Sequence, residues 1–139
     1  MTPFVLDASV ALAWFIDNPV PSYAVKIREN MSAGGRAIVP AIWHLEIANA
    51  LVVVERRKII EADDVLSALN RIDQLLTGPI ESRPDFVSVR EVLKTARTFD
   101  LSAYDAVYLD TARMSGLPLA TLDKSLRSAA TRAGVQLAS

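Results

Sequence analysis

Phe4-Val5-Leu6-Asp7-Ala8-Ser9-Val10 is the stretch whose reading decides the fold. A short apolar run ends abruptly on an acid. A hydroxyl residue follows two places later, and an apolar helical pattern then begins. This is the pattern of a buried strand delivering a carboxylate to its C-terminal end, with a helix starting at once. In an open α/β sheet, that edge is where ligands bind. The other acids of the chain therefore matter according to whether the fold brings them to Asp7.

Moving outward, the chain alternates short apolar runs with helical periodicity. Ser9 is placed to cap a helix through Val10, Ala11, Leu12, Trp14 and Phe15. Asn18-Pro19-Val20-Pro21 breaks it, because proline disfavours helix at and before its own position. Ser22 is then expected to cap a helix over 23–31, ended by Gly34-Gly35. Strand character follows at 37–40. A long apolar helix covers 41–57, and a second covers 62–76; the short connection between them implies an antiparallel pair. Residues 80–83 read as a weak edge strand. Asp85 is expected to cap the helix carrying Val89, Val92, Leu93 and Ala96. Ser102 opens a helix over 103–115, closed by Gly116. A strand over 119–122 ends at Asp123, a helix covers 124–133, and a last strand covers 135–137. Such alternation indicates a parallel sheet with helices on both faces.

The bulk numbers fit one domain over 1–139. The 139 residues are 51% hydrophobic and 22% charged, with a formal net charge of -1. That is a globular composition with no overall basicity to advertise nucleic acid, although local patches remain open. The absence of cysteine removes disulfides, cysteine-ligated zinc and thiol nucleophiles, and is compatible with a reducing cytoplasm. The N-terminal run lacks a basic flank and contains Asp7, unlike a signal peptide. No apolar stretch approaches the roughly 20 residues of a membrane span.

Four acids stand out by position. Asp7 and Asp123 each follow a short strand and precede a helix. Asp105 stands in the first turn after Ser102, and Glu46 lies inside the most apolar helix. Three have an ordinary structural role open to them. Asp7 and Asp123 suit helix N-caps, and Ser102-x-x-Asp105 has capping-box spacing. Glu46 has the least comfortable one: it borders the apolar stripe, where a carboxylate is costly unless paired, protonated or metal-bound. A salt bridge to an arginine is one solution. Asn49, three residues on, points in nearly the same direction. Carboxylates gathered at one sheet edge repel each other unless a cation neutralises them. A hard oxygen set without Cys or His suits Mg²⁺ or Mn²⁺ rather than zinc. His44, the sole histidine, lies about 200° around the helix from Glu46 and points elsewhere. No phosphate-cradling glycine loop and no Gly-x-Ser-x-Gly elbow occurs.

Four fragments in this order, Val5–Val10, Glu46–Leu51, Leu101–Leu109 and Leu119–Asp123, resemble a PIN-domain ribonuclease of the VapC type, the toxin of a toxin–antitoxin pair. The resemblance spans essentially the whole chain. It implies a three-layer α/β/α sandwich with a parallel five-stranded sheet, whose first strand is central and adjacent to the one ending at Asp123. Asp7, Glu46, Asp105 and Asp123 match the family's acidic quartet, and Ser9, Asn49 and Thr121 match supporting polar positions. The implied activity is Mg²⁺-dependent endonucleolytic cleavage of RNA, with Mn²⁺ as a substitute. Asp7, Asp105 and Glu46 would hold the metal, and Asp123 would complete the site or bind a second ion. Attack by an activated water would leave a 5′-phosphate and a 3′-hydroxyl. The implied partners are RNA, a VapB-type antitoxin and a second copy of the chain, with no membrane.

Among the basic residues, Lys124 and Arg127 follow Asp123 directly and are the better phosphate candidates. Arg56, Arg57, Lys58, Lys94, Arg97 and Arg132 read as solvated helix faces. Val52, Val53 and Val54 are too apolar a run to bury on one face, which leaves room for a partner, whereas Trp14, Phe15 and Trp43 read as core. Two other functions compete. A phosphoacceptor domain would use Asp7 as nucleophile and Lys124 as the late-strand lysine, but Ser9 stands where an aspartyl phosphatase wants a second Asp. A non-catalytic PIN-like RNA-binding module is the other.

Overall fold

Phe4, Val5 and Leu6 are all buried and form β1 (Phe4–Leu6), the strand around which the others are laid. The computed structural model describes residues 1–84 and 87–139; the cap expected at Asp85 lies outside them. The order is β1, α1 (Ala8–Ile16), α2 (Ser22–Ser32), β2 (Ala37–Pro40), α3 (Ile42–Arg56), α4 (Ala62–Leu76), β3 (Ile80–Arg83), α5 (Val89–Phe99), α6 (Ala103–Ser115), β4 (Leu119–Ala120) and α7 (Lys124–Arg132).

The sheet is parallel and runs β3-β2-β1-β4. Val5 sits between Ile38 on one side and Leu119 on the other. The chain thus steps from β1 outward to β2 and β3, then crosses back past β1 to β4. Parallel crossovers are right-handed, so the two directions of travel put α1–α4 on one face and α5–α7 on the other. Ligands bind at the C-terminal ends of the two strands where the direction reverses. Those strands are β1 and β4, followed at once by Asp7 and by the turn carrying Thr121 and Asp123.

The core is continuous through the sheet. Trp43 of α3, Ile27 of α2, Tyr108 and Leu109 of α6 and Leu126 of α7 are buried against β1, β2 and β4. Trp14 is buried and donates its indole N–H to the Ala24 carbonyl at 2.8 Å, while Phe15 packs at the core margin. Of the valine run, Val52 is exposed and its two successors are half-buried.

Three local expectations are corrected. The sheet has four strands rather than five: residues 135–137 contribute a single bridge, Leu137 to Leu119. The reason is the shortness of β4, which stops at Ala120 because Thr121 turns its side chain to Asp7, leaving little ladder to extend. Ser9 does not cap α1: the helix starts at Ala8, with Asp7 at the N-cap position. Ser22 likewise is the first residue of α2 rather than its cap. Among the described residues no helix is long and apolar enough to cross a membrane.

Candidate active site

Asp7 stands at the N-cap position of α1, yet its side chain makes no capping bond. Its Oδ2 instead accepts two hydroxyl bonds, from Ser9 Oγ at 2.6 Å and from Thr121 Oγ1 at 2.7 Å. Each hydroxyl is in turn fixed by a backbone amide of the β4–α7 turn. Leu122 N donates to Ser9 Oγ at 3.0 Å, and Asp123 N donates to Thr121 Oγ1 at 3.0 Å. Since a hydroxyl has one proton, both are committed to Asp7, and the 3.4 Å separation of Ser9 and Thr121 oxygens is a contact between two donors. Two donors on one oxygen favour the ionised carboxylate, but Asp7 is only 4% exposed. Burial wins, and the carboxyl is held above its ordinary range, with the charge of Asp123 adding to the rise.

Asp123 shows what an ordinary cap looks like beside it. It is exposed, and its Oδ1 accepts from Leu126 N at 2.8 Å to cap α7. Asp105 lies in the first turn of α6, whose cap is Ser102: Ser102 Oγ accepts from Asp105 N at 3.1 Å. The Asp105 carboxyl keeps a weaker side-chain interaction with Ser102, which lowers its pKa slightly against the larger raising effects. It is pushed up to about 6, first by burial and then by the charges of Asp123 and Asp7.

Glu46 enters from α3. Its partner is neither of the residue types expected from sequence. Tyr108 of α6, fully buried, donates its hydroxyl to Glu46 Oε1 at 2.6 Å. Burial raises the Glu46 carboxyl, the Tyr108 bond lowers it, and the charges of Asp7 and Asp105 raise it again. Burial and the bond to Glu46 push the Tyr108 hydroxyl up, so it stays a donor. Tyr108 was the residue missed by sequence reasoning. Its signal was spacing, since Asp105 and Tyr108 are three apart and share a face of α6.

The four acids therefore come together from four segments: the end of β1, α3, the first turn of α6 and the turn after β4. The charges acting on Asp7, Glu46 and Asp105 all come from other members of the set; no lysine or arginine is among them. Asp110, by contrast, faces Arg113 and accepts from Thr95 Oγ1 at 2.7 Å, tying α6 to α5 outside the cluster. Among the described residues, no three His, Asp or Glu side chains converge closely enough to grip one ion between them. A cation with its own waters, contacted by one or two carboxylates, needs no such grip, and that is the habit of Mg²⁺. The donor set, all hard oxygen, with the carboxyls of Asp7, Glu46 and Asp105 raised, fits that kind of ion.

The remaining candidates divide. Asn49 is exposed on α3, one turn beyond Glu46. Lys124 is exposed immediately after Asp123. Arg127 is held within the protein, where its guanidinium donates to the Thr121 carbonyl at 2.7 Å and lies 4.7 Å from the Tyr23 ring centroid. Arg132 similarly bonds the Phe99 carbonyl. His44 faces Ser82 at 2.7 Å, away from the acids.

Similar folds are known. The crystal structure of PAE2754 from Pyrobaculum aerophilum superposes with a TM-score of 0.68 at 21% identity, over 92% of this chain and 84% of that one. FitAcB from Neisseria gonorrhoeae gives 0.66 at 18% identity, over 98% and 96%. A toxin–antitoxin complex from Klebsiella pneumoniae gives 0.54 at 15%, over 90% of each chain. At these identities the likeness is one of fold. No curated protein sequence matches significantly. The family model of the PIN domain matches residues 4–131, a span running from β1 into α7 and holding all four acids. The chain with this parallel sheet and these strand-end carboxylates belongs to the PIN domain family.

Proposed function

We propose that the protein is a Mg²⁺-dependent endoribonuclease acting as the toxin of a toxin–antitoxin pair. The observation that carries the reading is electrostatic. Burial raises the carboxyls of Asp7, Glu46 and Asp105, neighbouring acids add to each rise (Asp123 on Asp7, Asp7 and Asp105 on Glu46, Asp123 and Asp7 on Asp105), and no protein cation offsets them. Such a set is poised for a divalent ion, and PIN domains are generally metal-dependent nucleases. A fold neighbour solved as a toxin–antitoxin complex supports the biological half of the reading.

In this reading Asp7 and Asp105 hold the Mg²⁺, for which Mn²⁺ can substitute, and Glu46 and Asp123 reach it directly or through water. When bound, the ion neutralises the carboxylates, activates water and stabilises charge on phosphate oxygens. Ser9 and Thr121 oppose the rise that burial imposes on Asp7 and fix its rotamer. Tyr108 orients Glu46, and Asn49 stands near enough along α3 to help. Lys124, the exposed cation next to Asp123, receives a phosphate of the RNA. Cleavage leaves a 5′-phosphate and a 3′-hydroxyl. An antitoxin and a second copy of the chain are the protein partners, and the exposed Leu45, Val52, Leu66 and Leu69 of α3 and α4 suit such surfaces.

The test is cleavage of total RNA by purified protein with Mg²⁺. Asp7→Ala and Asp105→Ala are expected to lose at least about a hundredfold in rate, as loss of a group made for the transition state does. Variants that cleave as fast as the wild type would mean the site is elsewhere. The lack of a three-carboxylate grip among the described residues favours one second reading, a non-catalytic PIN-like RNA-binding module. RNA binding without cleavage would establish that instead.

A further inference from the structure

The chain has three tyrosines, and two are fully employed. Tyr23 donates its hydroxyl to the Ala138 carbonyl at 2.7 Å, and Tyr108 donates to Glu46 at 2.6 Å. Tyr104 differs. It is 61% exposed, and its hydroxyl has no partner among the described residues. Every other aromatic ring among them is buried or packed at the core margin.

Its position is specific. Tyr104 precedes Asp105 in the first turn of α6. It is also four residues before Tyr108, so the two rings share one stripe of the helix. Tyr108 reaches Glu46 from that stripe. Helical side chains lean toward the N-terminus, so the Tyr104 ring extends one turn beyond the Tyr108–Glu46 contact. That is the end of α6 where Asp105 meets the field of Asp7 and Asp123. The one solvent-facing aromatic among the described residues thus lies in the turn of α6 that carries Asp105, one turn before the Tyr108–Glu46 contact.

We infer that Tyr104 is a stacking platform for an unpaired nucleobase of the substrate, adjacent to the phosphate held at the carboxylates. The inference rests on the ribonuclease reading above and adds the residue that grips a base beside the carboxylates. An exposed ring with a free face binds any base without reading its edges. A base stacked within a duplex has no face to offer. The ring therefore engages an unpaired base of a single-stranded segment or loop, and its hold adds to the one Lys124 gives at the phosphate.

The test uses a single-stranded hexaribonucleotide carrying 2-aminopurine, with Ca²⁺ in place of Mg²⁺ so that binding is read without cleavage. Wild type and Tyr104→Phe are expected to quench the fluorophore and bind alike. Tyr104→Ala and Tyr104→Leu are expected to bind about tenfold more weakly, the usual effect of removing one stacking ring, and to lose the quenching. In Mg²⁺ the same two variants are expected to show a raised KM with kcat little changed. Thermal midpoints matching the wild type exclude misfolding, as the exposure of the ring leads one to expect. Equal binding and quenching by Tyr104→Ala would overturn the platform while leaving the nuclease reading intact. An equal loss on the matched RNA duplex would also overturn it. Wild-type protein that neither binds nor cleaves RNA would remove the nuclease reading, and this inference with it.

Discussion

Thr121 gives its hydroxyl proton to Asp7 and accepts the Asp123 amide with the same oxygen. One fully buried side chain thus sets both the rotamer of the central acid and the turn that presents its neighbour. Thr121→Val keeps the shape and removes both bonds. It leaves a buried carboxylate short of a donor and an amide short of an acceptor, a loss of about 1–3 kcal/mol. Because the Thr121 bond holds the Asp7 pKa down, its removal lets that value climb further, and cleavage at neutral pH should fall as well. Denaturant unfolding and RNA cleavage measure the two effects, and Thr121→Ser should restore both. A valine variant as stable and active as the wild type would show that the hydroxyl is dispensable. Glu46 illustrates the limit of reading at this scale. The sequence marks it as uncomfortable, but its partner Tyr108 comes from a helix more than sixty residues on, and only the packing of α6 against the sheet reveals the pair.

At the scale of elements, Asp123 is both a helix cap and a member of the acid set, and the two roles separate by substitution. Asparagine caps as well as aspartate, whereas alanine loses about 1 kcal/mol of cap. Asp123→Asn is therefore expected to unfold like the wild type and Asp123→Ala to be less stable by about 1 kcal/mol, while both lose cleavage to the same extent. Full activity in Asp123→Asn would make the residue a cap and nothing more. Most elements were legible in the sequence because their signals are local: the proline break at 19–21, the Ser102 cap, Gly116 with its positive φ of 65° ending α6, and the buried run of β1. Two of the misreadings share a cause. Ser9 has the chemistry of a cap, but a hydroxyl two residues from a buried carboxylate bonds the charge instead. Residues 119–122 have strand composition, yet Thr121 leaves the ladder for Asp7. At Ser9 and Thr121 the hydroxyl serves the buried carboxylate of Asp7, and periodicity carries no information about that.

Over the whole molecule, the order β3-β2-β1-β4 does what no single fragment does. It puts the ends of the first and last strands side by side at the point where the winding reverses, and it aims α3 and α6 at that point from opposite faces. Alternation in the sequence announces a parallel sheet but leaves strand order open; the family resemblance supplied it, and the register Val5 to Leu119 agrees. With a net charge of -1 and no protein cation acting on Asp7, Glu46 or Asp105, the cluster is a site of unrelieved negative charge within a nearly neutral molecule. Its relief by a cation requires ionised carboxylates. Asp105, pushed up to about 6, is ionised at pH 7.5 and mostly protonated at pH 5, so cation affinity should fall as the pH is lowered through that range. Calorimetric titration with Mn²⁺ reads this directly. The expected result is saturable binding by the wild type at pH 7.5, weakened about tenfold or more at pH 5 and absent in Asp7→Asn at either pH. Failure of the wild type to bind, or binding undiminished in Asp7→Asn, would contradict the assignment of these carboxylates as the metal site.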